Sequence, residues 1–97
     1  MLKLEDARRA VRIKNTEFDT ELTALIEAGK EDMKTAGVAE QEDSKLYDAA
    51  LRMYILAHWE PDAPEAEKAR SVYEGIKETM HLHSRYRMQE DDEFYDA

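Results

Sequence analysis

Cysteine is absent from this chain, so disulfides and thiolate metal sites are excluded outright. That suits a reducing compartment. Glycine is scarce and scattered, at 29, 37 and 75, which leaves no glycine-rich loop to cradle a phosphate. The two prolines, Pro61 and Pro64, sit together and punctuate one place only. No apolar run approaches the roughly 20 residues of a membrane span, and Met1-Leu2-Lys3-Leu4 passes directly into charge, with no secretory signal. The chain reads as soluble and unprocessed. The three histidines do not compose a metal site: His81 and His83, two apart, stand about 200° apart around a helix, and no HExxH or ExxH pattern brings in His58. Ser44, Ser71 and Ser84 lack a nucleophile-elbow context, and a small helical body offers little cleft for paired carboxylates. The reading is not an enzyme, with no cofactor and no metal.

What is present is charge, unevenly placed. At 97 residues and 42% hydrophobic content, the chain has material for one core, while 38% charged residues require a heavily solvated surface. Residues 1–14 hold five cations, Lys3, Arg8, Arg9, Arg12 and Lys14, against Glu5 and Asp6, a net +3. The chain's net −9 therefore leaves −12 on the other 83 residues, and Glu90, Asp91, Asp92, Glu93 and Asp96 contribute five of those charges within seven residues. An acidic body repels phosphate, which argues against ordinary nucleic-acid binding. A basic beginning and an acidic remainder can instead attract each other between neighbouring copies, setting register more than affinity.

Periodicity predicts an all-α fold, a small bundle of about four helices. Leu4, Ala7, Ala10 and Val11 form a short first helix, with Arg8, Arg9 and Arg12 on its other side. Phe18, Leu22, Leu25, Ile26, Gly29 and Met33 trace a second apolar stripe, capped by Thr16 or Asp19 and stopped at Gly37. Gly29, unfavourable inside a helix, predicts close approach of another helix. Asp43 or Ser44 caps a third helix over 45–59, the most apolar segment, carrying Leu46, Tyr47, Ala50, Leu51, Tyr54, Ile55 and His58, with Met53, Leu56 and Trp59 widening its face. His58 is read as an interior or interface residue with one hydrogen bond. Pro64 opens a fourth helix with Glu65 and Glu67 in its first turn and Ala66, Ala69, Val72, Tyr73, Ile76, Met80 and His83 along its stripe. Residues 1–88 are expected to form the helical domain and 89–97 an acidic, flexible tail, with Phe94 and Tyr95 in a solvated end or in an arm that docks on a partner.

The order and pattern of these segments resemble the small head-tail connector (head-completion adaptor) proteins of tailed bacteriophages. The likeness lies in Leu4 to Ile13, the acidic opening Glu17-Phe18-Asp19-Thr20-Glu21-Leu22, the run Leu25 to Glu31, the stretch Ala49 to Trp59, and Tyr73-Glu74-Gly75-Ile76 with Tyr86-Arg87 after it. Two features depart from the pattern: Glu60-Pro61-Asp62-Ala63-Pro64 cuts the third helix sharply, and the acidic aromatic tail after Met88 has no counterpart. The resemblance implies a homo-oligomeric ring of about a dozen copies. It implies a place beneath the portal protein of the virion, at the head-tail junction, after synthesis in the host cytoplasm. There the ring extends the channel for passing double-stranded DNA, without sequence recognition and without a membrane, and receives the tail or its stopper protein.

Candidate interface residues follow. Arg8, Arg9, Arg12 and Lys14 are either a solvated helix face, an inter-subunit ion-pair surface or a phosphate contact; Trp59, before Pro61, is a candidate subunit anchor. Tyr86, Phe94 and Tyr95 are candidates for portal or tail docking. Tyr47, Tyr54, Trp59, Tyr73 and Tyr86 are read as core and interface rather than as a ligand pocket. The competing reading is a small acidic regulatory protein, or DNA mimic, binding one basic partner. Salt discriminates: mimicry collapses at high ionic strength, whereas a packed apolar contact persists.

Overall fold

The computed structural model describes residues 1–83 and Tyr86. Four helices follow in order: α1 Leu4–Ala10, α2 Asp19–Thr35, α3 Lys45–Trp59 and α4 Pro64–Leu82, with no strand element among the described residues. The architecture is all-α. α3 is central, packing against α4, α2 and α1. Its Tyr47, Ala50, Leu51 and Ile55 are essentially closed to solvent and meet Leu22, Ile26 and Met33 of α2 and Tyr73 and Met80 of α4 in one core.

The helix limits have local causes. Ser44 caps α3, its Oγ accepting from the Tyr47 N–H at 3.0 Å. Pro64 opens α4, where a missing N–H leaves no helical bond unmade. α2 ends in a Schellman turn, with Gly37 at φ +84° donating to Lys34 O and Val38 to Met33 O. The start of α2 differs from expectation. Neither Thr16 nor Asp19 caps it: Phe18 holds the cap position without a side-chain bond, and Asp19 is the first helical residue.

Gly29 is buried where α2 crosses α3. A Cβ there would lie 3.1 Å from both Leu51 Cδ2 and Tyr54 Cδ1, so the expected close approach is present. Five expected stripe residues are in the open instead, His83 just past α4 among them. Leu46, Val72 and Phe18 are about two-fifths exposed, and His58 is on the surface, not the interior. His58 does keep one hydrogen bond, Nδ1 to Tyr54 O at 2.8 Å, and stacks on the Tyr54 ring. A 3.6-residue period defines a face, but how wide a strip is covered depends on how many neighbours a helix has.

One polar cluster ties α2 to α4. The Tyr73 hydroxyl donates to Asp32 Oδ2 at 2.5 Å, and Lys77 Nζ reaches the same oxygen at 3.0 Å and Glu74 at 2.9 Å. Partial burial pushes the Asp32 carboxyl up, but the bonds from Tyr73 and Lys77 outweigh it and hold the group below its ordinary value.

Candidate functional site: the basic end of the first helix

α1 stops two turns after it starts. Arg12 donates its N–H to Arg9 O and Ile13 donates to Arg8 O, the paired bonds of a Schellman turn, with Arg12 at φ +62° in the left-handed position. The same turn after α2 uses Gly37, where a left-handed φ carries no Cβ penalty. At Arg12 a long side chain is kept at a position that favours glycine. The left-handed conformation costs an L-residue about 1–2 kcal/mol, against roughly 0.5–1 kcal/mol of extra unfolded-state entropy for glycine. Arg12→Gly is therefore expected to raise stability by about 0.5 kcal/mol, seen as a higher urea midpoint at unchanged slope.

The four cations of this end have different surroundings. Arg8 borders the same surface depression as Arg9, Arg12 and Lys14, but its guanidinium is tied down. Its Nε and one Nη reach the two carboxylate oxygens of Asp19, each at 2.8 Å, in a half-buried fork. Hydrogen bonding to Asp19 raises the Arg8 guanidinium further and, in return, holds the Asp19 carboxyl below its usual range. The pair joins the last turn of α1 to the first residue of α2, so both charges also suit the ends of their helices. Arg8 thus holds α1 to α2. Arg9 is exposed and leans on Asp6 at 3.3 Å. Arg12 and Lys14 are exposed, and no ion pair engages either among the described residues.

Trp59 comes to the same place. A groove of about 680 Å³ is lined by Ala10, Val11 and Arg12 from the end of α1, by Leu56 and Trp59 from the last turn of α3, and by Glu60, Ala63 and Glu65 around the start of α4. Two shallower depressions continue it over α1: one lined by Arg9, Arg12, Ile13 and Lys14 among others, one by Asp6, Arg9, Ala10 and Arg52. The structure therefore brings Arg8, Arg9, Arg12, Lys14 and Trp59 to one surface, with Arg8 tied to Asp19 within it.

Sequence reasoning missed Phe18 here. Its ring stands edge-on to Trp59, centroids 5.7 Å apart at 89°, and holds the indole from the side. Arg52, Leu56, Glu60 and Glu65 were also unforeseen, because nothing in the local pattern says which residues of α3 and α4 will face α1.

Tyr86, a candidate docking residue, is 6% exposed. Its hydroxyl shares a 2.6 Å hydrogen bond with the buried Ser44 Oγ, and its carbonyl accepts from Ala39 N–H. That placement fits the reading of Tyr86 as a core residue: it pins the chain after α4 against the start of α3. The two other docking candidates, Phe94 and Tyr95, lie outside the described residues, as does the segment 89–97.

The groove and the two depressions are lined by charged and apolar side chains. No group of three His, Cys, Asp or Glu among the described residues is placed to hold a metal ion, and none of the described helices is long and apolar enough to cross a membrane. What the site offers is a charged, partly apolar surface of the kind that meets another protein. Neither curated proteins nor solved structures give a match to this chain. The family comparison does: residues 4–89, from the first turn of α1 to beyond α4, match the phage connector protein, and the chain belongs to that family of structural head-tail connectors.

Proposed function

We propose that this chain works by assembly, forming a homo-oligomeric ring beneath the portal protein that extends the DNA channel and receives the tail or its stopper protein. The observation that carries the reading is the surface around Arg12, Lys14 and Trp59: exposed cations without an ion-pair partner among the described residues, beside a half-buried indole, on a chain whose other residues are strongly acidic. A ring needs two different complementary surfaces on each subunit, and a basic end against an acidic body supplies them. An acidic channel wall also suits passing DNA, since repelled phosphates do not stick. In this reading residues 1–88 are the ring-forming domain, and 89–97, with Phe94 and Tyr95, are the part left to reach a partner.

Native mass spectrometry over a range of concentrations, alone and with a portal protein, tests it. The expected result is a closed species of about a dozen subunits, alone or on the portal, that survives raised salt because its contact is packed as well as charged. A strict monomer that ignores the portal would overturn the reading and favour the acidic partner-binding protein.

A further inference from the structure

The groove at the end of α1 is part apolar and part charged, and its charges of opposite sign come from different elements. Arg12 comes from the end of α1, with Lys14 and Arg9 in the adjoining depressions; Glu60 and Glu65 come from around the start of α4; Val11, Leu56 and Trp59 supply the apolar part. A complementary segment would carry an acidic run for the cations and an aromatic group for the apolar part. One segment of this chain has that composition: Glu90-Asp91-Asp92-Glu93 followed by Phe94-Tyr95. It lies wholly beyond residues 4–89, the part matched to the connector family.

We infer that the groove is the docking site for the acidic aromatic C-terminus of a neighbouring copy. The carboxylates of residues 90–93 lie along Arg9, Arg12 and Lys14, and Phe94 or Tyr95 seats against Val11, Leu56 and Trp59. The two glutamates from around the start of α4 set the direction, since an acidic run laid over them would be repelled. The inference rests on the self-assembly reading and names the contact that closes one subunit onto the next.

A neighbour is favoured over the chain's own C-terminus by reach. Tyr86 is held at the first turn of α3 through Ser44, and the groove is at its last turn. A 15-residue helix is about 22 Å long. The eight residues from Tyr86 to Phe94 span at most about 28 Å when fully extended. A path over the bundle surface within that length leaves almost no slack, so an own-chain contact would have to hold the segment nearly straight. A copy whose fourth helix lies beside the groove meets no such limit.

The left-handed Arg12 fits the same picture. Its position in the turn favours glycine, yet it carries the cation nearest the groove. A strained residue that supplies a binding group is a common arrangement at functional sites.

The test uses Trp59, the chain's one tryptophan, as the reporter. A synthetic peptide of residues 88–97 is titrated into dilute full-length protein while indole emission is followed. The expected result is a saturable change, weakened about tenfold or more in Arg12→Glu/Lys14→Glu and strengthened in Glu60→Gln/Glu65→Gln. Without peptide, the emission of the full chain should depend on protein concentration, and Phe94→Ala/Tyr95→Ala should abolish that dependence. No response to peptide, or a response indifferent to both sets of charge changes, overturns the inference. A tail-dependent emission that does not vary with concentration overturns it in favour of the chain's own C-terminus. Native mass spectra of the same samples separate this from the broader reading. Rings that form normally with Phe94→Ala/Tyr95→Ala sink the docking contact and leave assembly standing. A charge-dependent peptide response in a chain that never assembles, with or without portal, supports the groove and sinks the ring.

Discussion

Tyr73→Ala should be the most damaging single change, lowering the unfolding free energy by about 4 kcal/mol. The ring is 2% exposed in the middle of α4, edge-on to Tyr54 at 5.3 Å, with the Lys77 ammonium 4.9 Å from its centroid. Removing it opens a cavity among α2, α3 and α4 and leaves Asp32 without the hydroxyl that donates to it, beside the direct bond from Lys77. For a small domain whose total stability is about 5–15 kcal/mol, that loss is a large share of the whole. Urea denaturation measures it, and a loss under about 1 kcal/mol would show that α4 packs differently from the arrangement described.

Tyr73→Phe separates the ring from its hydroxyl. The cost should be only about 1 kcal/mol, because Asp32 is half-exposed and water can replace the lost donor. The informative readout is acid. In the folded chain the Asp32 carboxyl is held below its ordinary value of 3.8, so the unfolded state binds more protons in that range. Its contribution to stability is complete above that value and is lost as pH falls through the lower folded one. Asp19, held down by Arg8, acts with the same sign. The acid loss of stability should therefore be shallower in Tyr73→Phe than in the parent, with the Asp19 part remaining. Parallel curves would mean that the Tyr73 hydroxyl does not act on the Asp32 carboxylate.

Gly29→Leu ranks second, with an expected loss of about 3 kcal/mol. The space for even one carbon is nearly gone at the crossing of α2 and α3, and three further carbons would force the helices apart. Gly29→Ala is the instructive partner. Alanine gains about 0.8–1 kcal/mol of helix propensity over glycine, and the groups in the way are a leucine methyl and the edge of the half-buried Tyr54 ring. A shift of a few tenths of an ångström accommodates it, so the net change should be near zero. The contrast between near zero and about 3 kcal/mol is the signature of close approach, because a merely floppy glycine would be improved by both substitutions. Thermal melts of the pair decide it.

These sites bear on assembly through rigidity. The groove at the end of α1 takes Leu56 and Trp59 from α3 and Glu60, Ala63 and Glu65 from the chain that follows it. Its shape depends on α3 being held from both sides. The Arg8–Asp19 fork sets the angle at which α1 meets α2, and the Phe18 edge holds Trp59 in place. Loss of the fork would therefore loosen the end of α1 without touching the cations that face outward.

Much of the fold follows from the chain read residue by residue, because its signals are local. Ser44 three residues before the Tyr47 amide, proline at the first position of α4, a glycine past the end of α2 and apolar positions three and four apart all act within one or two helical turns. The close approach at Gly29 was legible for a related reason: a glycine kept inside a good helix is costly unless a neighbour needs the space. The segregation of cations into residues 1–14 is likewise a property of the sequence alone.

The tertiary structure decided which of those residues are free to act. Asp32 with Tyr73, 41 residues apart, and Ser44 with Tyr86, 42 apart, are pairings that no local rule predicts. Arg8 became a fastener while Arg12 stayed open, although both sit in the same basic run, because only Arg8 lies within reach of the carboxylate that starts α2. Phe18 left the core to stand against Trp59, His58 went to the surface, and Tyr86 went inside. Periodicity says which face of a helix is apolar; the angles at which short helices cross say how much of that face is covered, and those angles come from packing over the whole chain.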